Sequence, residues 1–300
     1  MQSDPAYLEA VIDGVIRETR DNDEAADLVY QAAGARIMAR FMSLFEASRG
    51  ERGYVTMQSD PRDDEDAEAI VAGARRYRAL GPNFMTKIPV TQAGLKAIEV
   101  AVAENLPICA TEIFSIAQAR AVCDLYEQIA EKTGNRPPFY VTHITGIFDE
   151  YLQKVANREG IAVAPAVLKE AGCAVARKEH EFLRERGYRS TMLGGGARGL
   201  HHFTEMVGGD IHVTINWSTA KELIDLDGPV VDRMLGATAQ ETIDELRETL
   251  PDFRKAYDED GLSVDEFEAY GPVQLFRNAF LKGWYLLLAE VVSRRQALAI

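Results

Sequence analysis

The chain has 300 residues, 47% hydrophobic and 27% charged, enough apolar material for a large core that needs neither a disulfide nor a metal to hold it. Its formal net charge of −14 argues against a nucleic-acid or anionic-membrane partner, which calls for a basic face, but leaves room for an anionic small substrate bound by a few local arginines. Three cysteines without CxxC or Cys/His clustering suggest a reduced cytosolic protein; the polar start MQSDPAYLEAVIDG reads as no signal peptide, and the run WYLLLAEVV is too short to span a bilayer, so a soluble cytoplasmic protein is expected.

The first 52 residues read as helices. PAYLEAVIDGVIRETR opens on Pro5 behind Ser3 and Asp4, and a longer amphipathic helix runs from Asp23 to a stop at Gly50. From Gly53 the pattern changes to short β-branched runs alternating with helical periodicity. Strands are predicted at 53–62, 84–90, 107–113, 138–146, 188–196 and 210–216. Helices follow at 63–83, 91–106, 115–134, 148–159 with 166–186, 198–209 and 218–228. The region 229–300 reads as helical, with the charged loop YDEDGLSVDEFEAYGP and a last helix from about 272 to 298. Six βα alternations without a linker predict a parallel sheet in one domain, and rhythm alone fits either a doubly wound sheet or a (β/α)8 barrel. No GxGxxG follows an early strand and no GxxxxGK[ST] occurs, which speaks against dinucleotide and P-loop folds.

Lys87 stands out, a single cation in the apolar run FMTKIPV. Burial among Phe84, Ile88 and Pro89 penalises the ammonium form, and a neutral amine attacks a ketone to give a Schiff base that acts as an electron sink. The alternative is a lysine that reaches past the strand end to solvent.

The surrounding motifs bear on that choice. KIPVTQAGLKAI closely resembles the lysine-bearing strand of the transaldolase family of class I aldolases. FSIAQAR (114–120), AGCAVARKEHEFLRERGY (171–188), MLGGGARG (192–199) and TINWSTAKEL (214–223) resemble further family segments, in family order over about residues 53–224. The resemblance implies a TIM-type (β/α)8 barrel with C-terminal helices. The aspartate strand and the TTNP strand that open the family's barrel are not in this sequence. About six strands are therefore expected. Either Met1 is an internal methionine of a longer chain or the barrel is naturally open. Two missing strands expose sheet edges, so a homo-oligomer is expected.

The implied activity is transfer of a dihydroxyacetone unit between sugar phosphates, of the sedoheptulose 7-phosphate/glyceraldehyde 3-phosphate type. The alternatives are a fructose-6-phosphate-type aldolase without transfer and a non-catalytic relative. No cofactor or metal is expected, because the lysine supplies the electron sink. Position by position, Lys87 matches the Schiff-base lysine and Thr111 the threonine that holds the catalytic water. Arg198, next to Gly196 in GGGARG, matches the phosphate-binding arginine, at what reads as a helix start rich in N–H donors. Gln58 falls where transaldolases carry glutamate and fructose-6-phosphate aldolases carry glutamine. Thr142 replaces a family serine and keeps its hydroxyl. Cys109 stands where the family has a sugar-binding asparagine, and Ile147 where it has an arginine. Glu112 is the nearest candidate base. His143 reads as structural, and His201 and His202 as a solvated or helix-packing pair without metal spacing.

Overall fold

Side-chain caps set the starts of six α-helices in the computed structural model, which describes residues 4–298. The chain divides into two compact units, residues 1–87 with 277–300, and residues 88–276. In the first unit, helix α1 (Pro5–Glu18) starts at Asp4, whose carboxylate accepts the Tyr7 N–H, and α2 (Asn22–Ala47) starts at Asp21, which accepts from Asp23 and Glu24. Ile12, Ile16, Ala25, Ala26 and Val29 of these helices form an apolar core with Trp284, Leu287 and Val291 of the last helix, α13 (Gly271–Ala297). Strand β1 (Val55–Met57) pairs in parallel with β2 (Phe84–Pro89), Val55 opposite Phe84 and Met57 opposite Thr86. Asn83 ties that pair to α2, its Nδ2 donating to the Met38 and Gly53 carbonyls. Helix α3 (Ala67–Arg78) connects the two strands.

The second unit continues the alternation: α4 (Gln92–Ala103), β3 (Ile108–Ile113), α5 (Ile116–Thr133), β4 (Phe139–Ile144), α6 (Thr145–Glu159), α7 (Pro165–Leu168), α8 (Ala171–Arg186), β5 (Thr191–Gly195), α9 (His201–Thr204), β6 (Ile211–Val213), α10 (Trp217–Leu226), α11 (Gln240–Thr249) and α12 (Pro251–Tyr257). β3 pairs with β4, β4 with β5 and β5 with β6, all in parallel. Every residue of β3 is buried, which is why ICATEI lacks the alternation of a half-exposed strand. All three cysteines, Cys109, Cys123 and Cys173, are buried here as free thiols. Among the described residues the six strands stand in chain order, β1 to β6. Strand order reverses in a doubly wound sheet, so the architecture is that of a TIM-type barrel with six of the usual eight strands.

Two expected helices differ. The helix expected over 166–186 breaks after α7, because the Gly172 N–H is taken by Asp149 Oδ1 at 2.7 Å instead of a carbonyl one turn back. The helix expected over 198–209 shrinks to the four residues of α9. The N–H groups of Arg198 and Gly199 bond the His202 ring, and Gly208, at φ +90°, ends the helical path. No described helix is long and apolar enough to cross a membrane.

Candidate active site

In the first unit, Lys87 is the single residue of β2 that is not buried. Its Nζ lies 4.6 Å from the centroid of the Phe280 ring on α13, a cation–π distance. Gln58 follows β1 directly and is itself buried. Its Nε2 donates to Asp64 Oδ2 at 3.0 Å, and its Oε1 has no hydrogen-bond partner among the described residues. Burial of Asp64 pushes its carboxyl up to about 7, against the opposing pull of the Gln58 hydrogen bond. Gln58 and Phe280 both line a cavity of about 330 Å³ in this unit.

In the second unit, Thr111 is fully buried and its Oγ1 has no partner among the described residues. The neighbouring Glu112, also buried, sits at φ +60°, where the β3–β4 register shifts between Ala110 and Ile113. A non-glycine residue in that region is uncommon, and the irregularity breaks the simple in–out alternation of the strand. Gln118 fixes the segment: its Nε2 donates to the Val90 and Glu112 carbonyls, and its Oε1 accepts from Phe114 N–H and the Ser115 hydroxyl. Cys109 and Thr142 meet across β3 and β4, with Sγ and Oγ1 3.2 Å apart.

Arg198 and Gly196 line a cleft of about 670 Å³ beyond β5 and β6, together with Thr214 and Asn216. Gly196 adopts φ +64°, and a Cβ there would press on Ile144 and Ile147. Arg198 is half exposed, and its Nε donates to Glu150 Oε2 at 2.8 Å. Lys154 first and Arg198 second hold the Glu150 carboxyl below its ordinary range. An anion arriving at Arg198 therefore competes with Glu150. The expected backbone donors are occupied as well. His202 Nδ1 accepts from Arg198 N–H at 3.1 Å and Gly199 N–H at 3.2 Å, which puts the ring proton on Nε2, donating to Asp149 Oδ2 at 2.8 Å. His202 is thus buried and holds the arginine loop, which fits the packing and not the solvated alternative of the expected pair.

Asp149, His201 and His202 bring one ligand atom each within 4.8 Å of one another, a spacing a metal could use. The hydrogen bonding does not suit one, because a metal on His202 Nε2 would leave the ring proton on Nδ1 against two N–H donors. His143 is fully buried, with Nδ1 2.9 Å from Glu179 Oε2 and Nε2 donating to the Gly172 carbonyl; burial pushes the Glu179 carboxyl up.

Asp64, Gln118, Asp149 and Glu150 were not singled out by sequence reasoning. Gln118 had a signal, the second half of FSIAQAR; the others lie in acidic or helical stretches that read as solvated.

The family model described as Transaldolase/Fructose-6-phosphate aldolase matches residues 3–269. The chain belongs to the transaldolase/fructose-6-phosphate aldolase family. Among its relatives, the transaldolase of Thermobifida fusca is 36% identical over 157 residues, 48% of this chain and 42% of that protein. Transaldolase 1 of Streptomyces coelicolor is 31% identical over 186 residues, 58% of this chain and 48% of that protein. The transaldolase of Mycolicibacterium smegmatis is 28% identical over 258 residues, 75% of this chain and 69% of that protein. The chain thus spans less than half the length of the first two relatives.

Proposed function

We propose that this chain is a class I aldolase of the transaldolase type, acting on sugar phosphates through a Schiff base at Lys87. The observation that carries the reading is Lys87 itself, the half-buried cation of an otherwise buried strand in a member of this family. The Lys87 amine adds to the ketone of the donor and water leaves. A base removes the proton of the hydroxyl two carbons away; the carbon–carbon bond breaks, an aldehyde leaves, and the electron pair rests on the imine as an enamine. The enamine then attacks an acceptor aldehyde, which is transfer, or takes a proton and is hydrolysed, which is simple aldol cleavage. In this reading Glu112 is the candidate base, Thr111 holds the water, Cys109 and Thr142 line the donor, and Arg198 with Gly196 takes the phosphate.

A second reading, cleavage without transfer, is favoured by Gln58. Its amide is committed to Asp64 and cannot act as a strong base, so it orients water rather than moving a proton.

The test is borohydride reduction in the presence of fructose 6-phosphate or dihydroxyacetone, followed by peptide mapping. A reduced adduct on Lys87, absent in Lys87→Met, is expected. A folded protein without adduct overturns the reading. Release of free dihydroxyacetone without an acceptor separates cleavage from transfer.

A further inference from the structure

The cavity beside Phe280 is unlike a site for a polyol. Its walls are carbon, from Val29 and Tyr30 of α2 and Phe280, Gly283 and Trp284 of α13, with Gln58 at one side. Two buried polar atoms in its lining residues have no partner among the described residues: Gln58 Oε1, an acceptor, and Trp284 Nε1, a donor. Both atoms are shielded from the cavity space, so neither is a partner for a molecule seated there. A chain of hydroxyls would leave its polar groups unpaired against carbon walls. At about 330 Å³ the cavity exceeds the roughly 150 Å³ in which an apolar cavity holds benzene, so a short alkyl chain fits. Phe280 is common to the cavity and to Lys87, whose Nζ stands 4.6 Å from its ring centroid.

We propose that this cavity seats an alkyl arm of the carbonyl compound taken by Lys87, so that the chain accepts hydroxyketones with a short apolar tail. The proposal rests on the Schiff-base reading above, and its test keeps the two apart. Borohydride trapping at Lys87 is titrated with 1-hydroxy-2-hexanone and with hydroxyacetone. Half-maximal adduct is expected at a concentration at least about tenfold lower for the hexanone, since its added methylenes leave water. Gly283→Leu fills the cavity. No atom lies within 4 Å of where a Cβ would stand at Gly283, so the variant is expected to fold, which circular dichroism checks. In that variant the ratio between the two ketones is expected to fall to about one. Equal half-saturation in the wild type, or a preference that survives Gly283→Leu, overturns the proposal.

If dihydroxyacetone or fructose 6-phosphate is trapped at Lys87 and the hexanone is not, the proposal is overturned; if none of them is trapped, the Schiff-base reading has failed and the cavity is read by itself. In a Trp217→Phe background, where Trp284 is the one tryptophan, 1,2-hexanediol is then expected to shift the fluorescence saturably, and not when Gly283→Leu is added. No saturable shift overturns the cavity as a binding site.

Discussion

Asp64 shows how far a single residue departs from its sequence context. Its carboxyl is raised from 3.8 to about 7 because it is buried. A carboxyl raised in the folded state holds its proton more tightly there than in the unfolded chain. The stability it contributes is complete below about pH 4 and is lost as the pH rises through about 7, on the order of 4 kcal/mol. Asp64→Asn removes that dependence. Urea unfolding between pH 4.5 and 7.5 is expected to fall more steeply in the wild type than in the variant, and parallel curves would refute the assignment. In the sequence, Asp64 is one of four acidic residues in DDED before a helix, indistinguishable from a solvated start. Lys87 was legible because it is the single charged residue of its strand. The partners of Gln58 and Arg198 were not, since Asp64 and Glu150 reach them only once the chain has turned.

At the scale of elements, the turn from β2 into α4 is the tightest passage. Thr91 caps α4 by accepting the Gly94 N–H at 3.0 Å, and a Cβ on Gly94 would lie 1.8 Å from the Pro89 carbonyl oxygen. Gly94→Ala forces backbone apart and is expected to cost about 3 kcal/mol, seen as a lower urea midpoint. Gly14→Ala is the control. That position is exposed in α1 with no atom within 4 Å of an added Cβ, and alanine there is expected to add about 0.5–1 kcal/mol. Short β-branched and apolar runs between helical periods located every described strand, whether or not the run alternates. Helical periodicity overextended the helix after β5, where the deciding interaction is a side chain, His202, bonding backbone that would otherwise be helical. The strand count was legible in the absent opening motifs, whereas the order of the strands came only from their pairing.

For the whole molecule, the boundary between the two units falls inside β2, after Lys87, and inside α13, before Arg277. Neither unit can lose those elements without disturbing the other, so one cooperative transition is expected. The three buried cysteines make this measurable. All lie between residues 88 and 276, and burial pushes the thiols of Cys123 and Cys173 up, away from the reactive thiolate. A disulfide reagent should therefore leave the native protein unlabelled and consume three thiols only when the second unit opens, while the fluorescence of Trp217→Phe, which leaves Trp284 as the one tryptophan, follows the first. The two curves are expected to coincide in urea; a thiol curve that leads would show that the unit carrying Arg198 opens alone. The chain carries no engineered label, yet its own sulfur atoms serve as a clock for the opening of one half.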